Sequence, residues 1–244
     1  TIRHSVTKMS HLHFAATQLS KKRIINMGEN KMNVYNVGCP YVETINSTRY
    51  FSLEQINNIL GANIKKKFAL FTQHGVTSEE KKNIPNLKRT INALKKIKNL
   101  DVISIFSNAD TGGRKINNIL KKDTKFHVFK NLNEKIYLSL MKNCTFMIGN
   151  SSAGIREAGS FAIPVINVGT RQNYREKGLN VIDVPYNTAQ ITKAIKKCLY
   201  ETKFLKKIKR VKNIYEGKNT SINIVKIIKK KIGNIDIQKH FIDG

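Results

Sequence analysis

The sequence predicts an α/β fold in which a parallel sheet carries helices on both faces. Three observations lead there. Short apolar runs rich in Val, Ile and Phe alternate with stretches of helical spacing from residue 68 to residue 200. The apolar runs are near-continuous rather than alternating with polar residues, as strands buried on both faces must be. Hydrophobic residues make up 40% of the 244 and charged residues 25%, so a packed core is within reach.

The elements follow in order. Residues 11–16 (HLHFAA) read as a strand and 19–27 as a helix. Residues 34–37 form a short strand that runs into Gly38-Cys39-Pro40. Periodicity fades between 43 and 67, and the run Lys65-Lys66-Lys67 marks an expected domain boundary. The segment before it holds too few strands for an independent α/β domain and reads as the end of one. Alternation then resumes with a strand at 68–73 and a helix at 80–97, in which Ile84, Leu87, Ile91, Leu94 and Ile97 fall near helical spacing. A strand at 102–107, a helix at 114–121, a strand at 125–129 and a helix at 134–142 follow. A strand at 144–149 runs into a helix at 152–161. Strands at 164–168 and 181–184 and helices at 188–200 and 222–232 complete the series.

Composition narrows the function classes. No apolar run approaches the ~20 residues that span a bilayer, so no membrane partner is expected. The first residues carry charge and no apolar stretch, so no signal peptide is expected, and the opening Thr1-Ile2-Arg3 reads as cut from something longer. Cys39, Cys144 and Cys198 are scattered and odd in number, which fits reduced thiols in a cytoplasmic protein rather than a metal cluster. The net charge of +28 invites a nucleic-acid reading. Yet 35 of the 44 basic residues are Lys, and Lys, Asn and Ile are abundant even in turns, as a codon bias would leave them. No RNA-binding aromatic motif, zinc-finger spacing or helix-turn-helix stands out, so no specific nucleic acid is expected. The charge does favour anionic substrates such as nucleotide diphosphates.

Ligands of parallel sheets bind at the carboxyl ends of the strands. That rule singles out His74, Asn108, Leu132, Asn150-Ser151-Ser152 and Arg171. In MIGNSSAGIREAG (147–159) an apolar strand runs through Gly149 into a helix that Asn150 or Ser151 can cap. A capped N-terminus and the hydroxyls of Ser151 and Ser152 suit a diphosphate. Glu157, a turn and a half on, could accept hydrogen bonds from the vicinal hydroxyls of a ribose. An ordinary capped helix with a surface Glu has the same spacing. In PVINVGTRQNYR (164–175) a strand ends in Gly169-Thr170-Arg171, a pattern shared by a phosphate clamp and a solvated loop arginine. His74 beside Gly75 after strand 68–73 could bond phosphate or act as an acid, or could be structural.

These residues also carry a family resemblance. GNSSAGIREAGSFAIPVINVGTRQNYRE resembles the signature stretch of hydrolysing UDP-N-acetylglucosamine 2-epimerases. So do the opening TIRHSVTKMSHLHFAAT and YNVGCP at 35–40, in the same order, and the likeness is collinear to about Asn219. The resemblance implies a GT-B-type fold of two Rossmann-like domains with the active site between them. Residues 1–63 would end the first domain and lead into a linker, 64–189 would form the UDP-binding domain, and the helices of 190–244 would pack back toward the first. It implies a UDP-sugar substrate, no cofactor, no metal, and a homo-oligomer when full length. By motif, Ser151 and Ser152 would hold the diphosphate, Glu157 the ribose, and Arg171 would be the arginine of the GTRQ motif. Asn108, in SNAD, matches a nucleotide-contacting asparagine, and Leu132 falls where a backbone contact to uracil is expected. His74 would be the catalytic histidine of a QHPVT-like motif, with Gly75 here in place of the usual Pro.

The implied reaction removes the C2 proton, expels UDP, and adds water at C1 of a glucal-type intermediate while C2 is reprotonated from the opposite face. Two proton-transfer groups are needed for it. In the family these, and a Gly-rich loop, lie before the stretch that opens this chain, so the chain alone is expected to be inactive. The product would be an N-acetylmannosamine-type sugar for sialic-acid-like biosynthesis. Alternatives are a nonhydrolysing 2-epimerase, a glycosyltransferase of the same fold, and a non-catalytic nucleotide- or nucleic-acid-binding remnant. The family's YGDG-type turn is replaced by Tyr215-Glu216-Gly217-Lys218.

Overall fold

The computed structural model describes residues 2–210, 212–236, 238–240 and 242. Thr1, with which the first motif opens, lies outside the described residues. In chain order the elements are α1 (Ile2–Met9), β1 (His13–Ala15), α2 (Gln18–Asn26), β2 (Val34–Asn36), α3 (Pro40–Ser47), α4 (Leu53–Leu60), β3 (Phe68–Thr72), α5 (Asn83–Lys95) and β4 (Asp101–Ile105). Then come α6 (Gly113–Lys121), β5 (Phe126–Phe129), α7 (Glu134–Asn143), β6 (Phe146–Gly149), α8 (Ser152–Arg156), β7 (Val165–Val168), β8 (Val181–Val184), α9 (Thr188–Tyr200), α10 (Thr202–Ile208) and α11 (Thr220–Lys231). The chain divides into two compact units, one of residues up to Thr48 together with those from Ile214 on, the other of Arg49–Asn213.

The larger unit is a six-stranded, wholly parallel sheet in the order β5-β4-β3-β6-β7-β8. The order reverses between β3 and β6, and such a switch point leaves a crevice at the carboxyl ends of the strands. Thr72, Gly149 and Asn167 sit side by side in register, so the loops after β3, β6 and β7 start at one level. The core is apolar side chains from the strands and from α5, α6, α9 and α10, among them Phe71, Leu94, Ile116, Ile148 and Ile195. β3 is buried along its whole length, which accounts for its run FALFT. Phe68, Phe71 and Phe146 are fully buried, each contributing roughly 1.5–3 kcal/mol of transfer free energy.

Several boundaries differ from the sequence reading, each for a local reason. The stretch 43–67, which shows little periodicity, holds part of α3 and all of α4. α4 is short, but Ser52 and Gln55 form a reciprocal capping box and Gly61 ends it in the left-handed conformation. It packs against α7, and the backbone of Phe51 bonds the side chains of Ser139 (3.0 Å) and Asn143 (3.2 Å). Contacts therefore divide the chain at Arg49 rather than at Ile64. The helix read at 80–97 is a 3-10 segment, Thr77–Lys82, kinked at Glu79 and followed by α5. The helix read at 152–161 is the single turn and a half of α8 followed by a 3-10 turn, Ala158–Phe161. α9 and α10 pack on the six-stranded sheet, so of the final helices only α11 belongs with the opening segment, where it packs on α3.

The smaller unit pairs β1 with β2 in parallel. Glu29 is buried in it and held by Lys8 (2.8 Å), His13 (2.9 Å) and Lys239 (2.5 Å). Burial raises its carboxyl pKa, but those three bonds outweigh burial and leave it below the ordinary value. The variant turn at Tyr215-Glu216-Gly217-Lys218 is closely packed. A Cβ on Gly217 would lie 2.1 Å from the Val37 carbonyl oxygen. Around it Cys39 N–H donates to Tyr215 O (2.9 Å) and the Thr220 hydroxyl to Val37 O (2.7 Å).

Candidate functional site

The switch point is organised by Asn150, the first residue after β6. Gly149 makes this possible. Its φ of +127° is open only to glycine, and a Cβ there would lie 2.0 Å from Thr72 O. Asn150 is therefore drawn against the end of β3, its N–H donating to Thr72 O (3.1 Å). Its fully buried carboxamide accepts from His74 N–H (2.7 Å) and donates to His74 O (2.9 Å). Its own carbonyl accepts from Arg171 Nη1 (3.3 Å) and Gln172 Nε2 (2.7 Å). Tyr186, after β8, also hydrogen-bonds the Asn150 side chain, and its phenol pKa is raised by burial despite that bond.

His74 is half-buried at the end of β3. Its Nδ1 accepts from the backbone N–H of Asn108, after β4, at 3.1 Å. An accepting Nδ1 places the ring proton of the neutral form on Nε2. Burial, helped by the Arg171 cation and opposed by Asp110, lowers the imidazole pKa to about 4. At neutral pH the ring is thus an uncharged Nε2–H donor rather than an imidazolium acid.

Arg171, after β7, is partly exposed and bridges Asn150 O and the Asp110 carboxylate (3.2 Å). The Asn108 side chain donates to the same Asp110 oxygen at 2.8 Å. That bond, with Arg171, outweighs desolvation and holds the Asp110 carboxyl below its ordinary value. Thr170 Oγ1 donates a short hydrogen bond to Glu79, joining the loops after β7 and β3. The rim of Gly75, Val76, Glu79, Asp110, Thr170 and Arg171 opens onto an indentation of about 460 Å³.

Ser151 caps α8, its Oγ accepting from Ala153 N–H at 3.3 Å. Ser152 follows it, half-buried. α8 is brief, so any dipole contribution comes from one turn rather than a long helix. Gly154 lets that turn lie on β7, where a Cβ would meet Val165 Cγ1 at 2.8 Å. Glu157 ends α8 and is only 7% exposed. Burial raises its carboxyl pKa to about 6, opposed by Arg156, whose Nη2 is 4.0 Å away, and reinforced by Glu134 in the first turn of α7. Leu132 lies half-buried in the loop that leads into that same turn, just before the Asn133 cap.

Of the residues predicted from the sequence, His74, Asn108, Leu132, Ser151 and Arg171 lie in the loops that follow strands of one sheet, Ser152 opens α8 and Glu157 ends it. His74, Asn108 and Arg171 are joined through Asn150 and Asp110, while Glu157 and Leu132 lie toward the start of α7. The sequence reading did not assign roles to Asp110, Gln172 and Tyr186; it offered Asn150 or Ser151 as the helix cap, and Ser151 fills that place. Gln172 is 1% exposed, yet reads as one more polar residue in a polar loop. Tyr186 is marked by Gly169, whose absent Cβ would lie 2.1 Å from the tyrosine ring. Among the described residues no group of three or more His, Cys, Asp or Glu could hold a metal ion, and no helix is long and apolar enough to cross a membrane.

Comparison with known proteins bears on this geometry. Residues 1–229 match the family model described as UDP-N-acetylglucosamine 2-epimerase. The chain is 38% identical over 192 residues to the GDP/UDP-N,N'-diacetylbacillosamine 2-epimerase (hydrolyzing) of Campylobacter jejuni, covering 77% of this chain and 50% of that protein. It is 32% identical to the UDP-N,N'-diacetylbacillosamine 2-epimerase (hydrolyzing) of Legionella pneumophila, over 93% of this chain and 60% of that protein. It is also 32% identical to the UDP-N-acetylglucosamine 2-epimerase of Neisseria meningitidis, over 100% of this chain and 64% of that protein. The chain thus spans between half and 64% of the length of these relatives. Among solved structures the S. aureus MnaA-UDP co-structure superimposes with a TM-score of 0.73 at 18% identity, covering 98% of this chain and 64% of that one. The Neisseria meningitidis UDP-GlcNAc 2-epimerase bound to UDP-GlcNAc does so with a TM-score of 0.67 at 20% identity, covering 92% and 62%. At such identities the structural likeness speaks for the fold, which is that of the GT-B-type 2-epimerases. With the family model running from the first motif through α9 and α10 into α11, the chain belongs to the UDP-N-acetylglucosamine 2-epimerase family.

Proposed function

We propose that this chain supplies the uridine-nucleotide site of a hydrolysing UDP-sugar 2-epimerase. The observation that carries the reading is the convergence of donors from separate strand ends on the switch point: the Nε2–H of neutral His74, the fork of Arg171 and the hydroxyls after β6. Such an array stabilises a leaving diphosphate by fixed donors and positive charge. In this reading Arg171 exchanges the Asp110 carboxylate for a phosphate oxygen, Ser151 and Ser152 add hydroxyl donors, and Glu157 accepts from the ribose hydroxyls. Asn108 steadies His74, and the Leu132 loop faces the base. His74 serves as a hydrogen-bond donor to the departing nucleotide rather than as the acid that protonates C2.

The whole protein would release UDP and a 2-epimerised amino sugar, in the cytoplasm, for a sialic-acid-like biosynthesis. Two relatives named for UDP-N,N'-diacetylbacillosamine favour a 2,4-diacetamido sugar as a second candidate beside UDP-N-acetylglucosamine. Calorimetric titration of the chain with UDP, with inorganic pyrophosphate and ADP as comparators, tests the nucleotide site. Saturable UDP binding tighter than either comparator is expected. Absence of UDP binding, or equal affinity for pyrophosphate, would overturn the reading. Incubation of the whole protein with each UDP-sugar then identifies the substrate by released UDP.

A further inference from the structure

We infer that Asn150 is a positioning residue that sets His74 from a neighbouring strand and ties the loops of the nucleotide site into one body. The inference rests on the reading of that site given above. Asn150 and His74 are 76 residues apart in sequence and follow different strands, β6 and β3. The two bonds between them form a closed pair, with one acceptor and one donor of a single carboxamide matched to the N–H and C=O of a single residue (2.7 and 2.9 Å). Asn108 N–H then holds Nδ1 of the ring at 3.1 Å. The backbone of His74 is thus fixed from β6 and its ring from the end of β4, so the direction of Nε2–H is set by residues outside β3. The Asn150 carbonyl adds the loop after β7 through Arg171 and Gln172, and its side chain adds Tyr186 after β8.

The chemistry calls for asparagine. The site needs a donor and an acceptor on one rigid, two-torsion side chain of zero exposure. Aspartate would set a carboxylate oxygen against the His74 carbonyl. Glutamine would need room for another methylene. Alanine would leave the backbone N–H and C=O of His74 without partners beneath the site, a cost that falls on the local structure. The charged or titratable groups around this pair are Arg171, Asp110 and Tyr186, together with Glu79 facing the tyrosine.

The test reads His74 directly, in the ligand-free chain. With six histidines in the sequence, imidazole proton–nitrogen spectra are tractable, and His74→Gln assigns the signal. The wild type should show a single Nε2–H tautomer that titrates near 4. In Asn150→Ala the titration should move toward the ordinary histidine range and the tautomers should mix. Asn167→Ala removes an equally buried asparagine, which bonds Asp183 and not the site, and should leave His74 unmoved. UDP affinity should fall at least tenfold in Asn150→Ala, and far less when the substitution is added to His74→Ala, because Asn150 acts through His74. A His74 titration and tautomer unchanged by Asn150→Ala would overturn the inference. Should that variant not fold, deuterium exchange of the wild-type Asn150 side-chain amide decides. Protection for hours supports the clamp, and exchange as fast as in exposed asparagines overturns it. Loss of UDP binding by the wild type would sink the nucleotide reading while leaving the His74 result to stand or fall by itself.

Discussion

Replacing Glu157 by Gln should make the protein more stable and its ligand weaker. Glu157 is 7% exposed, and burial raises its carboxyl pKa from 4.5 to about 6. At roughly 1.36 kcal/mol per pH unit, ionised Glu157 costs the folded chain about 2 kcal/mol relative to the unfolded one. The sign follows from linkage. Below about 4.5 the group is protonated in both states and the cost vanishes. As pH rises from 4.5 to about 6 the unfolded chain gives up its proton first, so stability falls. Above about 6 the full penalty stands. A neutral isostere removes it. Urea unfolding should show Glu157→Gln more stable by about 2 kcal/mol at neutral pH, with the gain shrinking toward zero near the unfolded carboxyl pKa. A carboxylate that accepts from ribose hydroxyls makes charge-assisted bonds of roughly 1.5–3 kcal/mol each, so UDP should bind at least about tenfold more weakly to the variant. A stability gain that is absent, or that does not vary with pH, would refute the burial argument. Unchanged UDP affinity alongside that gain would refute the ribose role.

Other outcomes follow from the same geometry. Arg171→Ala should weaken UDP binding by roughly 2–3 kcal/mol, with little change in the urea midpoint, because the guanidinium bonds sit at the rim; Arg171→Lys should recover little of it, lacking the fork, and calorimetry reads both. Gly149→Ala should cost more than about 3 kcal/mol of stability in urea unfolding, since a positive φ and a Cβ 2.0 Å from Thr72 O strain one spot. Of the three thiols, half-buried Cys39 should react first with a disulfide reagent. Cys144 and Cys198 should wait for unfolding, because burial raises both pKa values, that of Cys198 to about 12.

The sheet was largely legible because its strands are fully buried and keep near-continuous apolar runs, as in FALFT and FMIG. Helices with a strong apolar stripe, such as α6 and α9, were legible through their helical spacing, and α9 also carries the cap Asn187. The helices that escaped are short. α4 has the capping pair Ser52/Gln55 and the terminator Gly61, but its eight residues give only two turns of pattern. α10 places two buried residues, Phe204 and Ile208, among lysines. At the site, strand-end position pointed to His74, Asn108, Leu132, Asn150, Ser151, Ser152 and Arg171, and spacing along the helix to Glu157. The Asn150–His74 pair left no trace, because a contact across 76 residues has no periodicity for a single sequence to display. The kink at Glu79 was hidden likewise: its bond to Thr170 joins positions 91 apart.

The close seating of Gly38 against Gly217 sets an order of events at the ribosome. A Cβ on Gly38 would lie 2.4 Å from the Gly217 backbone, so the packing around Gly38 is completed only by residues made after Asn213. During synthesis everything from Arg49 to Asn213 emerges in between. At roughly 5–20 residues per second that interval is on the order of ten seconds. The six-stranded unit can fold within it, while the β1–β2 pair waits with its interior incomplete. Nascent chains stalled before residue 214 would therefore carry the six-stranded unit complete and the turn at Gly38 still without its Gly217 partner.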